Sequence, residues 1–359
     1  MQMQDRAWVA TRKGLFEMRR RSAGWAVERT SFLGEPVSML LPPGSSGRMI
    51  AALNLGHFGV KLHASDDAGQ SWHELAAPVY PEQPAGATGP AWKLSQVWSL
   101  EERGGTIWAG TIPGGLFRSD DAGESWRLVD TLWHRDERAE WFGGGYDAPG
   151  IHSICPHPGH AGELLVGISC GGVWVTKDDG ASWSLQADGM RAAYMPPDQA
   201  DKPNVQDPHA IVRSAADPAV LWSQHHNGIF RSTDNAASWH EVKTAPLSSF
   251  GFAVATDPND ADTAWFVPGV ADETRVPVGA ALAVNRSRDG GRSFETLRNG
   301  LPQSDCYDLV YRHGMAVDAS GQKLLMASTT GNCWASEDAG ESWREVAGHL
   351  PPVYALRFG

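Results

Sequence analysis

The apolar positions of this chain fall in short runs broken by glycine, aspartate and serine. QVWSLEE from Gln96, TIWAGT from Thr106, GGLFRS from Gly114 and SWRLV from Ser125 follow one another with only turn residues between them. HSICPH, LLVGIS, GVWVT and SWSLQ repeat the series from His152 to Gln186. Runs of this length, bounded by turn formers, predict short strands joined by tight connections. Four such strands, A to D, make one unit.

One octet marks the C–D connection of each unit. It reads SDDAGQSW (Ser65 to Trp72), SDDAGESW (Ser119 to Trp126) and TKDDGASW (Thr176 to Trp183). STDNAASW (Ser232 to Trp239), SRDGGRSF (Ser287 to Phe294) and SEDAGESW (Ser336 to Trp343) follow, and a worn copy at the front closes on Gly24 and Trp25. The terminal aromatics Trp25, Trp72, Trp126, Trp183, Trp239, Phe294 and Trp343 stand 47 to 57 residues apart. Four short strands repeated at that period predict a β-propeller. Within the octet, the third-position acid can accept backbone N–H groups, and the fifth-position glycine supplies a positive φ. The serine adds a local bond, and the aromatic packs between neighbouring sheets.

Seven copies give seven blades. The last segment, Val353 to Gly359, is an A strand with no B strand after it, while AWVATR, GLFEMR and WAVE at the front supply B, C and D. The C-terminal strand should therefore join the first sheet and leave no open edge. The expected fold is an all-β, seven-bladed β-propeller with four-stranded blades and N/C-terminal velcro closure, a single domain over residues 1–359.

The octet is the pattern called the Asp-box. Over essentially its whole length the sequence resembles the BNR/Asp-box repeat proteins of the sialidase-like seven-bladed propeller superfamily. The segment WVATRKGLF from Trp8 to Phe16 also resembles bacterial BNR-repeat proteins commonly labelled glycosyl hydrolases. The resemblance implies a carbohydrate-active or small-ligand-binding protein. Octet residues hold turns and do no chemistry, so function must be argued from a site. Sialidase-type sites, by that resemblance, use a tyrosine nucleophile, an aspartate acid/base and an arginine cluster for the sugar carboxylate. The matching residue types here are Arg12, Arg275 and Arg312; Asp147, Asp198, Asp207, Asp272 and Asp305; and Tyr146 and Tyr307. The early Arg-Ile-Pro signature is missing. Only Arg275-Val276-Pro277 resembles it, in the sixth blade, which argues against sialidase activity itself.

Composition narrows the partners. Apolar content of 42% supports a real core and excludes disorder. A net charge of −12, with no basic run longer than Arg19–Arg21, excludes a nucleic-acid phosphate footprint. No apolar stretch is long enough to span a membrane. The opening MQMQDRAWVATRKG lacks an apolar signal region, and Cys155, Cys170, Cys306 and Cys333 form no C-x-x-C pair. Both features lead to the expectation of a cytoplasmic protein with free thiols. Most of the sixteen tryptophans end octets or lie in strands, which leaves Trp92, Trp133 and Trp141 in long connections.

Antiparallel strands put the C–D turns on one face, and the B–C turns and D–A links on the other. The D–A links at 76–95, 130–151 and 185–208 are long, and the B–C link of the sixth blade (268–279) is expanded. That face is the expected working surface. Its candidate catalytic acids are Asp147, Asp198, Asp272 and Asp305, since glycoside hydrolysis needs paired carboxyls. Its candidate ligand-binding residues are Arg12, His57, Trp92, Trp141, His152, Arg191, His209, His226 and Arg275. Guanidinium forks suit carboxylates, and flat indoles either stack on sugar rings or anchor loops. Aligning the A strands puts His152, His209 and His313 at equivalent starts, and His152, His209 and His226 are the expected ligands of a divalent metal at the funnel mouth. Cys170, beside Gly171-Gly172, is the one suggestive nucleophile, with His209 or His226 as its base. Gly143-Gly144-Gly145 would let a ligand approach the backbone. Three function classes follow: a site for a carbohydrate or other small molecule, a protein-binding scaffold or assembly factor, and a metal-dependent enzyme using the histidines.

Overall fold

A computed structural model describes residues 5–44, 47–87, 89–144 and 146–359. Seven antiparallel sheets form a ring, each a blade built in chain order from the central channel outward. The first blade is the exception that closes the ring. Its innermost strand is Val353–Phe358, paired antiparallel to Arg6–Thr11, with Gly14–Arg21 and Gly24–Ser31 outside it. Val9 and Leu356 sit opposite one another in that pairing, both fully buried. Closure thus joins the two ends of the chain through core contacts as well as ladder hydrogen bonds.

The octet turns use the expected bonds and one more device. In the second blade, Asp67 Oδ1 accepts from Ser71 N at 2.9 Å and Oδ2 from Ser71 Oγ at 2.6 Å. Gly69 N donates to Ser65 Oγ at 2.8 Å. The same three contacts recur around Asp121, Asp178, Asp234, Asp289 and Asp338. Positive φ occupies two successive positions rather than one, as at Ala68 (58°) and Gly69 (81°). Where the fifth blade has Asn235 and Ala236, both residues keep that conformation without a glycine. The hydrogen-bonded Ser/Asp frame on either side holds them there.

Octet tryptophans reach back to the preceding blade. Trp72 Nε1 donates to Ser31 Oγ, Trp183 Nε1 to Thr131 Oγ1 and Trp239 Nε1 to the Gln186 carbonyl. Strand tryptophans reach forward, with Trp222 donating to Ala261 O and Trp265 to Ala339 O. Large indoles therefore pack the blade interfaces and, at these five positions, also bond across them, whereas the buried Nε1 atoms of Trp25, Trp126 and Trp343 have no partner.

Two connections differ from plain loops. The D–A link before blade four folds into a short α-helix, Asp130–Trp133, and a 3₁₀ turn, Asp136–Glu140. The expanded B–C link of blade six is itself a hairpin, in which strand Asp260–Ala271 overruns the sheet and folds back on Thr274–Pro277. It overhangs the funnel mouth. Among the described residues no helix is long and apolar enough to cross a membrane.

Candidate functional site

The starts of the A strands and the neighbouring turns enclose a cavity of about 590 Å³ on the face opposite the octets. Arg12 and Tyr354 line it from the first blade, Asn54 from the second, and Gln96 and Trp98 from the third. Asp207, His209 and His226 come from the fifth blade, Asp272 and Arg275 from the overhanging hairpin of the sixth, and Tyr311 and Arg312 from the start of the seventh.

Arg312 is the most unusual of these. It is only 9% exposed, its Nε has no hydrogen-bond partner, and among the described residues no carboxylate pairs with it. Its guanidinium carbon lies 4.8 Å from the Trp98 ring centre and 5.3 Å from that of Phe252. The π faces partly replace lost hydration. Burial lowers its pKa from the usual value, although Asp207 opposes this. Arg275, by contrast, is held by Asp272, with Nη2 2.5 Å from Oδ1, and its Nη1 donates to Tyr311 Oη at 3.3 Å.

Asp207 is 2% exposed and precedes strand Pro208–Arg213. Its Oδ1 accepts from the Cys170 backbone N–H at 3.1 Å, which leaves Oδ2 directed to His209 Nε2 (3.6 Å) and His226 Nδ1 (3.5 Å). Burial alone would raise the carboxyl pKa. The two imidazoles and Arg312 override it and hold the group well below the usual range, as a carboxylate. His209 stacks on Phe252 with centroids 4.3 Å apart and planes at 12°. Its Nδ1 is 2.7 Å from the Gly251 carbonyl, which can only accept, so Nδ1 carries a proton and in the neutral ring Nε2 carries the lone pair. Burial lowers its pKa too. Asp207, His209 and His226 offer ligand atoms that all lie within 4.8 Å of one another.

The structure gathers only part of the expected set. Arg12, His209, His226, Asp272 and Arg275 line the cavity. His152 is fully buried, with Nδ1 on Ser153 Oγ and its ring edge against Trp98, and Asp207 takes its place in the ligand group. Asp147, Asp198 and Asp305 are exposed and lie outside the cavity lining. Of the four expected catalytic acids only Asp272 reaches the cavity, and Arg275 occupies it. Arg191 is exposed and pairs with Asp201, while His57 sits at an exposed turn tip against Phe58. Trp141 is an anchor: it is buried, donates to Asn204 Oδ1 at 3.0 Å and packs on Trp174. Trp92 packs on Trp133 and Arg138, away from the cavity. Long inserted links need apolar anchors of their own, and these indoles supply them. Cys170 lines the cavity, yet its thiol is pushed up by burial and by Asp207, so it is no ready nucleophile. Gly145 lies outside the described residues; Gly143 and Gly144 line the cavity.

The aromatic lining comes instead from Trp98, Phe142, Tyr146, Tyr194, Phe252, Tyr311 and Tyr354. Trp98 stands two residues after Gln96 in an A strand, and its position in the repeat reads as core. The strand alignment sets Gln96 rather than Trp98 level with His152 and Phe252; the register shift between Val97 and Ser99, matching those at His152 and His209, is what brings Trp98 to that level.

No protein-family model and no curated protein matches the chain. Solved structures similar to it include the GH74 xyloglucanase from Xanthomonas campestris, with TM-score 0.63 and 17% identity over 99% of this chain and 52% of that one. An ancestral GH74 enzyme has TM-score 0.58 and 16% identity over 83% of this chain and 36% of that one. YCF48 bound to D1 peptide has TM-score 0.54 and 14% identity, over 87% of this chain and 81% of that one. The chain spans about a third to a half of the length of those two GH74 proteins. At these identities the likeness is one of fold, a seven-bladed propeller on which both enzymes and non-enzymatic proteins are built.

Proposed function

We propose that the funnel mouth binds a small anionic ligand of the carboxylate or acidic-sugar class. The observation that carries this reading is Arg312, a buried guanidinium facing the cavity with no carboxylate partner among the described residues. A buried charge is costly unless paired, and a ligand carboxylate would supply the pair bidentately. Arg12 lies across the same cavity, and Tyr311, Tyr354, Asn54 and Gln96 offer neutral hydrogen bonds suited to hydroxyl groups. Trp98 and the tyrosines offer flat faces for a ring. Binding is proposed without hydrolysis. Asp207 is held ionised and Asp272 is tied to Arg275, so neither stands as a free proton donor.

Calorimetric titration with glucuronate and galacturonate, against glucose and galactose, tests the reading. Acidic sugars should bind, and Arg312→Met should weaken the binding about 10- to 100-fold. Equal binding of the neutral sugars, or undiminished affinity in Arg312→Met, would overturn it.

A second reading is a protein partner on the same face. Leu33, Phe58, Val79, Leu247 and Tyr307 are exposed, and all lie in its D–A links or B–C turns. Exposed apolar side chains gathered on one face favour association. A complex isolated by crosslinking that is lost in Phe58→Ser but kept in Arg312→Met would favour this reading over the first.

A further inference from the structure

We propose that Asp207, His209 and His226 form a divalent transition-metal site in the wall of the cavity, open toward its interior.

Three observations carry this beyond the presence of two histidines and an acid. The first is spacing. Asp207 Oδ2 is 3.6 Å from His209 Nε2 and 3.5 Å from His226 Nδ1, too long for good hydrogen bonds. Two ligands each ~2.1 Å from a tetrahedral ion stand ~3.4 Å apart, so these gaps match those across a bound metal.

The second is the arrangement of lone pairs. The Gly251 carbonyl takes the proton of His209 Nδ1, so the Nε2 lone pair faces a carboxylate oxygen. In the neutral ring, two acceptors directed at one another repel unless a proton or a metal cation lies between them. Metal-bound histidines characteristically donate their other ring N–H to a backbone carbonyl in this way.

The third is rigidity with an open side. The Cys170 amide fixes Asp207, Phe252 stacks on His209, and Tyr194 packs edge-on to His226 at 4.9 Å. Gly144 lies over the group. A Cβ there would stand 3.1 Å from Asp207 Oδ2 and 3.0 Å from Cys170 Sγ, so any larger residue would crowd the site. Two histidines and a carboxylate with an open position suit zinc, iron(II) or cobalt(II).

The test uses the full chain stripped with chelator and titrated with Zn(II), and with Co(II) as an optical probe. One equivalent should bind, and Co(II) should develop the intense visible bands of low-symmetry coordination. His226→Ala, at a partly exposed side chain, should weaken binding about 10- to 100-fold. Asp207→Asn should do the same, with circular dichroism confirming that the ring is intact. His160→Ala removes the other group of ligand-capable residues, His157, His160 and Glu163 near the octet face, and should leave the affinity unchanged. No stoichiometric binding of either ion, or binding that follows His160 rather than His226, would overturn the proposal. The result is independent of the anion reading, because Arg312→Met removes the anion partner without removing any of the three ligands.

Discussion

The guanidinium of Arg312 lies 4.8 Å from the ring centre of Trp98, a cation on an aromatic face at the mouth of an otherwise acidic protein. The pairing makes the two residues one functional unit. Arg312→Met should leave the thermal midpoint unchanged or raised, because an apolar side chain replaces a buried unpaired charge. The same change should cost about 10- to 100-fold in affinity for an acidic sugar, measured by calorimetry. A midpoint that fell sharply would mean that the charge holds the fold rather than a ligand.

The indoles should separate by role. Trp98→Ala should weaken ligand binding, whereas Trp92→Ala should leave affinity untouched because its ring packs on Trp133 and Arg138. Trp141→Ala should destabilise the protein by about 3–5 kcal/mol, as expected for a large buried aromatic, and also leave Asn204 Oδ1 without its donor. Chemical denaturation and binding isotherms on the three variants check this assignment.

Acid should loosen the octet turns in a defined window. Asp121, Asp178 and Asp289 are lowered to about 2, chiefly by hydrogen bonds from the following serine. Their unfolded values lie near ~3.9, so the folded state binds fewer protons over that interval. The stability they contribute is complete above the unfolded value and is lost as pH falls through the folded one. Melting followed from pH 5 to pH 2 should show the loss concentrated below about pH 4. Asp121→Asn should flatten that dependence slightly while lowering the midpoint at neutral pH.

Ring closure should be tested at Leu356, which is fully buried opposite Val9. Leu356→Ala should cost about 2–5 kcal/mol in urea unfolding. Removing Val353–Gly359 deprives the first blade of its inner strand and should abolish cooperative melting.

The thiols should be silent in the native protein. All four cysteines are buried, and burial raises Cys306 to about 11 and Cys155 and Cys333 to about 12. Cys170 is raised as well. A thiol-specific reagent at pH 8 should label none of them until denaturant is added, after which all four should react. Prompt labelling of Cys170 would restore it as a nucleophile.

The sequence by itself determined the ring. The octet is a local object: Asp67, Ser65 and Ser71 meet within seven residues, so its chemistry is readable without knowing the rest of the chain. Its period then sets the number of blades, and the orphan strand at Val353 sets the closure. The working face followed from strand parity and link length. Which side chains turn into the cavity was decided only by tertiary structure. Arg191 and Asp201, or Arg275 and Asp272, neutralise each other across a few residues, and exposure of Asp147 or Asp198 depends on how a long link folds. Asp207 joins His209 and His226 because the fifth blade's A strand and B–C turn converge at the mouth, and Arg312 meets Trp98 across 214 residues of chain. Backbone turns are fixed by neighbours in sequence, whereas a pocket at the axis of a ring is assembled from one or two residues of every blade.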